Sequence, residues 1–250
     1  MASSSYASTE ETTNACRACR LLLGPCTDEL RDVLLHHVPP PTFQHVIINK
    51  KSNLPRLTAQ QMNLILPRGS SYTGNCGDMD ISLLYILLRN ICGIPPHSKG
   101  WGFDPDPTDR SLSANIERIR IARNQSVHSS SPVLSNAEFN TIWSTVRSAV
   151  VDLDSFLNNG NKFERDVDFL RHETMDPVHD RHYIEELRKQ AEKDAETREI
   201  VEGLKRKFTC PPHNVSHETL ENKHNTIFKH LKLGNKIGSN IYLNYSFFFS

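Results

Sequence analysis

The sequence predicts an all-α fold in which an antiparallel helical bundle is followed by a long charged helix. Residues 81–92, 111–129 and 135–157 each carry apolar side chains at the three- and four-residue spacing of one helix face. Start and stop signals bound these segments, and the third begins with the capping-box residues Ser135 and Glu138. Residues 42–56 are ambiguous between a short extended piece and a loop, and one such run does not predict a sheet.

The composition limits the classes of function. The 250 residues, 37% of them hydrophobic, are enough for one domain with a sizeable core plus extensions. The 29 basic and 29 acidic residues give a net charge of zero, so any contact with RNA is focal and not a non-specific basic coat. Residues 1–14 are polar and are expected to be disordered. Because no apolar leader or membrane span is recognised, we expect a cytoplasmic protein with no membrane partner.

The first predicted helix runs to about residue 37 and contains the pair Cys16-x-x-Cys19. A zinc site needs a second pair at finger spacing and none follows, so we interpret both thiols as reduced, buried side chains and predict no metal or other cofactor. Gly24-Pro25 either kinks this helix or ends it, in which case a second helix begins at Thr27. A short helix is predicted at residues 57–66.

The segment at residues 81–92 is apolar nearly all round, which predicts a helix at the centre of a bundle. Asp78 and Asp80 precede it, where carboxylates favour the positive end of the helix dipole. The connection before it is basic, and it forms either a solvated loop or a rim that follows nucleic-acid phosphates. Its basic residues are Lys50, Lys51, Arg56 and Arg68.

The predicted helix at residues 111–129 is the segment most informative about function. Its apolar stripe faces a core, and three arginines fall off the centre of that stripe. These are Arg118, Arg120 and Arg123. A run of serines and Pro132 end the helix, so His128 lies in the last turn. The carbonyl end of the helix dipole stabilises a cation there by roughly 0.3–1 kcal/mol.

Several motifs, taken in order, resemble one known domain. Residues 123–128 read R-N-x-x-x-H, and other motifs are L-L-Y-I-L-L-R-N-I-C-G-I at 83–94, P-T-D-R-S-L-S-A-N-I-E-R-I-R at 107–120 and A-E-F-N-T-I-W at 137–143. Over residues 21–157 the chain is similar to the HEPN domain of the DAZ-interacting zinc-finger ubiquitin ligases. The resemblance implies a HEPN-like helical domain at residues 15–160, and HEPN domains are all-α modules known as RNases or RNA-binding units.

The resemblance also implies a catalytic role for Arg123, Asn124 and His128. RNA cleavage without a metal needs a general base, a general acid and positive charge near the phosphorane oxygens. Because each chain offers one motif histidine, a homodimer formed through the HEPN domain would supply the complete set. Arg123 and His128 lie about 140° apart around a helix, so their convergence needs the long arginine stem or an unwound last turn. Ser126-Val127 stands where we expect an aromatic residue and a glycine in close relatives.

Residues 162–208 are densely charged with both signs. Their apolar residues only partly satisfy a heptad, and Asp194 and Arg198 stand where apolar seam residues belong. We expect either a long solvated helix that contributes little to core stability or a coiled coil with a protein partner. His179 and His182 lack two further metal ligands. Residues 209–250 are expected to form a poorly ordered tail.

Two classes of function remain open. The first is a dimeric RNA-binding protein or metal-independent endoribonuclease that uses Arg123, Asn124 and His128. The second is a non-catalytic, dimerising adaptor of an intracellular immune or ubiquitin-linked signalling pathway. Only Cys210 follows the HEPN-like region, so a zinc-binding RING and ubiquitin-ligase activity are not expected. A basic surface around His128 would favour the RNase, and a neutral apolar dimer face would favour the adaptor.

Overall fold

The structure, a computed structural model, describes residues 9–67, 69, 76–128, 133–173, 185–190, 192–195 and 199, with the backbone alone at 127 and 128. No strand occurs within these ranges, and the predicted all-α fold is confirmed. The helices are α1 (Glu10–Leu21), α2 (Thr27–His37), α3 (Pro40–Asn49), α4 (Ala59–Ile65), α5 (Ile81–Ile91), α6 (Leu112–His128), α7 (Asn136–Leu157) and α8 (Lys162–His172). A π-helical turn (Leu22–Cys26) joins α1 to α2, and a 3-10 turn (Lys51–Asn53) follows α3.

The elements belong to one compact unit, residues 1–198. Residues 185–190 and 192–195, which we name the distal segment, are helical and lie in the same unit. Of the second unit, residues 199–250, the structure describes residue 199 alone, so the predicted tail lies outside the described residues. None of the helices in the described ranges has both the length and the apolar character that crossing a bilayer requires.

α5 lies at the centre of the bundle, as its nearly uniform apolar surface predicts. Seven of its eleven residues are buried, and it packs against α2 and α6. α7 also packs centrally, because it contacts the four helices α1, α2, α6 and α8. The Trp143 side chain on α7 is fully buried, with its ring centroid 5.1 Å from that of Phe139. Side chains from distant parts of the chain thus share a single core.

α1 begins within the stretch that was predicted to be disordered. Thr9 caps the helix and forms a capping box with Thr12, which satisfies backbone donors at the first turn. Further along, the buried Asn14 donates through Nδ2 to Asn136 Oδ1 at 2.6 Å and so ties α1 to the start of α7. Residues 10–14 are therefore helical, in contrast to the prediction, and residues 1–8 lie outside the described part of the chain.

The chain stays helical through Gly24-Pro25, so α1 and α2 are not separate capped helices. A π-helical turn absorbs Pro25, which has no amide hydrogen to donate. The Thr27 hydroxyl donates to the Leu22 carbonyl oxygen at 2.6 Å within this turn. Thr27 is therefore the first residue of α2, and its side chain supports the junction with the turn. It does not act as the N-cap of a separate helix.

The ambiguous stretch at residues 42–56 is helical in its first half. Pro40 stands in the first turn of α3, where proline is well tolerated, and Phe43 and Ile47, four residues apart, turn into the core. Lys50 Nζ then donates to the Ile91 carbonyl oxygen at 2.7 Å and so satisfies an acceptor at the end of α5. One residue of the predicted basic connection therefore has a structural partner, while Arg68 lies outside the described residues.

α8 and the distal segment pack on the bundle, in contrast to the predicted domain end at residue 160. Phe163 and Val167, four residues apart on α8, are 1% and 0% exposed. Asp154 on α7 accepts a hydrogen bond from the Glu164 backbone N–H at 2.7 Å, which secures the first turn of α8. In the distal segment Leu187 is 1% exposed and joins the same core. The two elements bury these few apolar residues although charged residues dominate their sequence.

Candidate functional site

α6 carries the three residues of the predicted site and stays helical to its end. Its buried Ile116, Ile119 and Ala122 form the stripe that faces the core, and the helix packs against α5 and α7. Ser126 Oγ donates to the Ala122 carbonyl oxygen at 2.9 Å, a bond that lets a serine remain within a helix. Because the backbone is helical as far as His128, the unwound last turn considered from the sequence does not occur.

Arg123 is buried in an ion pair with the distal segment. Only 2% of its side chain is exposed, and its Nη1 lies 2.8 Å from Asp194 Oδ2. The same Nη1 donates to Asn124 Oδ1 at 3.2 Å. Ser82 Oγ, on α5, donates to the same Asp194 oxygen at 2.5 Å. The site therefore joins side chains from α5, α6 and the distal segment around one carboxylate.

The Arg123 guanidinium has hydrogen-bonding capacity that the described protein atoms do not use. Its Nε and Nη2 are buried and have no hydrogen-bond partner among them. A buried charged donor without a partner costs free energy, roughly 1–3 kcal/mol or more. A guanidinium presents its donors in a planar fork that matches two oxygens of one carboxylate or phosphate. Arg123 thus keeps donors for a second acceptor.

Asp80 brings a second carboxylate close to the ion pair. It is the N-cap residue of α5, and its Oδ1 accepts a hydrogen bond from the Leu83 N–H at 2.8 Å. The pKa of Asp80 is raised above its ordinary value, chiefly by burial and further by the nearby Asp194 carboxylate. The Leu83 N–H and the cations Arg123 and Lys193 lower it and offset part of this rise. The charges of the site therefore act on one another, and the capping role of Asp80 agrees with its predicted place at the helix start.

The other two arginines of α6 serve the fold. Arg118 is 9% exposed and donates through Nη2 to the Asp106 carbonyl oxygen at 2.8 Å, which holds the loop before α6. Arg120 Nε lies 2.6 Å from Oε2 of the buried Glu117. Arg118 and Arg123 are buried although the sequence placed them off the centre of the apolar stripe, because each meets oxygen acceptors there. Among these arginines, Arg123 is the candidate for binding a phosphate.

Arg123 and Asn124 are joined by a hydrogen bond, and the His128 side chain lies outside the described residues. Positions 124 and 128 are four apart and so differ by about 40° around an α-helix, which places them on the same face. Sequence reasoning did not assign Ser82 and Asp194 to the site. One feature of the sequence could have indicated Asp194. It lies seven residues after Leu187, at a heptad position where an apolar residue is expected.

Metal ligands do not gather in the described part of the chain. No group of three or more His, Cys, Asp or Glu side chains there is arranged to hold an ion. Burial, followed by the neighbouring Cys16, raises the pKa of Cys19 to about 12, although Arg188 lowers it. The Cys19 thiol is therefore protonated near neutral pH. His179 and His182 lie outside the described residues.

Comparison with known proteins gives one family match. The family described as DZIP3/hRUL138-like HEPN matches residues 35–183, more than half of the 250-residue chain. Neither a curated protein nor a solved structure matches the chain. The family match confirms the resemblance predicted from the ordered motifs, all of which lie within the matched residues.

Proposed function

Because the chain belongs to the DZIP3-like HEPN family, we propose that it is a dimeric RNA-binding protein that cleaves RNA without a metal ion. The observation that carries this proposal is the Arg123 guanidinium, which is buried beside Asn124 and keeps two nitrogens, Nε and Nη2, without hydrogen-bond partners among the described atoms. In a site of low dielectric such donors bind a phosphate more strongly than they do in water.

Three residues divide the chemistry in this proposal. Arg123 stabilises the negative charge that builds on the phosphorane oxygens, and Asn124 orients the guanidinium through their hydrogen bond of 3.2 Å. His128 transfers a proton, either from the attacking 2′-hydroxyl or to the leaving 5′-oxygen. One imidazole does not serve as base and acid in the same step, so a second copy of the chain supplies the other histidine.

The test is cleavage of mixed single-stranded RNA in the presence of a chelator. Wild-type protein should yield products with 2′,3′-cyclic phosphate and 5′-hydroxyl ends, and His128→Ala should lose activity by at least ~10²-fold, as is typical when a general acid or base is removed. The matched control is His172→Ala, since His172 is an exposed histidine in the last turn of α8. Equal activity of His128→Ala and wild type, or dependence on an added metal, contradicts the proposal.

The second candidate is the non-catalytic adaptor. The burial of Arg123 favours it, because a guanidinium that is 2% exposed does not reach RNA in this arrangement. For an adaptor we expect a homodimer that fails to bind RNA even after Asp194→Asn removes the charge that pairs with Arg123. RNA-binding measurements on this one variant separate the two candidates, since both are expected to be homodimers.

A further inference from the structure

Asp194 pairs with the same guanidinium that the proposed function assigns to RNA phosphate. Its Oδ2 receives Nη1 of Arg123 at 2.8 Å and the Ser82 hydroxyl at 2.5 Å. Carboxylates and phosphates are both anionic oxygen acceptors that a guanidinium binds with the same planar fork. RNA and Asp194 would therefore compete for one guanidinium, although Asp194 pairs with its Nη1 and leaves Nε and Nη2 without partners among the described atoms.

The distal segment that carries Asp194 buries few apolar side chains. Leu187 is its one buried residue within the described positions, and Asp194 is half-buried. Most of the remaining described residues of the segment are exposed. The contacts that attach it include the Leu187 side chain, the Arg123–Asp194 ion pair and the hydrogen bond from Ser82 to Asp194. An element with so little buried apolar surface belongs to the part of a protein that opens most easily.

The distal segment also lies beyond the HEPN domain proper. The family match ends at residue 183, whereas the segment begins at residue 185. The residues proposed to bind RNA are therefore inside the matched domain, and the acidic residue that covers them is outside it. A buried ion pair is a weak source of stability, because desolvation of both charges offsets their attraction. The pair is thus better suited to controlling access than to holding the fold.

We propose that Asp194 is an intramolecular competitor of RNA phosphate, and that the distal segment closes the Arg123 site until RNA displaces it. This inference rests on the proposed function, since it names the control of the same site. In the closed state Arg123 is paired and buried. In the open state the Arg123 donors and the Ser82 hydroxyl face the RNA backbone, and the apparent affinity for RNA is set by the fraction of open molecules.

The test compares two neutralised acidic residues of the same segment in the full chain. Asp194→Asn removes the charge that pairs with Arg123, and Glu192→Gln removes an exposed charge two residues away. Binding of a fluorescent single-stranded oligoribonucleotide is measured by anisotropy, and cleavage is measured in chelator. We expect Asp194→Asn to raise affinity and cleavage at least about tenfold, and Glu192→Gln to leave both near the wild-type values.

Two further variants protect the test against a failure of folding. Leu187→Ala weakens the docking of the segment while both partners of the ion pair stay in place, and it should raise RNA binding in the same direction. Adding Arg123→Ala to Asp194→Asn should abolish the gain, because the donors for phosphate are then gone. Hydrogen exchange of residues 185–195 should become faster in Asp194→Asn and in Leu187→Ala.

The outcomes separate this inference from the proposed function. In the first outcome, Asp194→Asn and Leu187→Ala release the segment but bind and cleave RNA no better than wild type, while wild-type cleavage depends on His128. The proposal that the segment closes the site is then wrong, and the proposed ribonuclease function stands. In the second outcome, the variants gain affinity for RNA that depends on Arg123 but do not cleave RNA. The proposal that the segment closes the site then stands, and the proposal that the protein cleaves RNA fails. If the segment exchanges freely in the wild type, closure is wrong whatever the activity.

Discussion

At the scale of single residues, Glu29 stands out because it is a fully buried carboxyl group. It is 0% exposed, and neither of its side-chain oxygens has a hydrogen-bond partner among the described atoms. Burial, together with the Asp154 and Asp32 carboxylates, raises the pKa of Glu29 to about 10. The side chain is therefore protonated in the folded protein near neutral pH, whereas it is ionised in the unfolded chain.

This difference predicts how stability depends on pH. The folded pKa is raised above 4.5, so the contribution of Glu29 is fully present below about pH 4.5 and is lost as the pH rises towards 10. Glu29→Gln should remove this loss, and its advantage in unfolding free energy over wild type should grow by roughly 5 kcal/mol between pH 5 and pH 9. Denaturant titrations at several pH values measure the change.

The control for this prediction is Glu10→Gln, since Glu10 is exposed in the first turn of α1. Its pH profile should follow that of the wild type. A difference between Glu29→Gln and wild type that does not change with pH would mean that Glu29 is ionised in the folded state.

At the scale of elements, α8 is a full member of the bundle. It packs against α7 and α1, and Arg147 on α7 bridges to it through Glu164 at 2.8 Å and Asp168 at 2.6 Å. These ion pairs are partly exposed, so they contribute little, about 0–1 kcal/mol each. The buried Phe163 and Val167 therefore supply most of the attachment.

Phe163→Ala should lower the unfolding free energy by about 3–5 kcal/mol, the usual cost of removing a buried phenylalanine side chain. Phe169→Ala is the matched control on the same helix, because Phe169 is 66% exposed, and it should change stability by no more than about 0.5 kcal/mol. Chemical denaturation of both variants measures the difference. Equal, small effects would show that α8 is not part of the cooperative core.

The elements that the sequence predicted well are those with a long, regular apolar pattern. α5, α6 and α7 were predicted because their apolar stripes are continuous and their ends carry clear signals. α3 was ambiguous, because a short apolar run after three prolines fits a strand as well as a helix. α8 was assigned to a charged extension, because its few buried residues are hidden among charges and only the folded core shows their use.

The same contrast holds for the site. Arg123 and Asn124 are adjacent in the sequence, so a local motif was enough to pair them. Asp194 meets Arg123, and Ser82 meets Asp194, only through tertiary packing, and no local pattern encodes these contacts. The heptad at Leu187 marked Asp194 as misplaced but did not identify its partner.

At the scale of the whole molecule, the proposed chemistry requires two chains. Mixing wild type with an excess of His128→Ala should lower the activity per wild-type chain, because each wild-type subunit then lacks a second histidine. The experiment uses tagged chains, so that heterodimers are counted directly while cleavage is measured. Constant activity per wild-type chain in the presence of proven heterodimers would show that each protomer works alone.

The π-helical turn at Leu22–Cys26 has a consequence for the length of the chain at that point. Such a turn contains one residue more than a regular α-helical path needs. Removing that residue would restore ordinary helical bonding there and leave the rotation of α2 relative to α1 nearly unchanged. Pro25 would then stand inside a regular α-helix, where its missing N–H and its ring disrupt the bond to the carbonyl four residues earlier.

Deletion and substitution at Gly24 should therefore give different results. A Cβ built on Gly24 meets no atom within 4 Å, so Gly24→Ala should fold with nearly wild-type stability. Deleting Gly24 removes no side chain at all, yet it should lower the unfolding free energy by about 3 kcal/mol, because Pro25 loses the turn that accommodates it. Denaturant titrations measure both variants, and a deletion variant as stable as wild type would show that Pro25 does not need the wider turn.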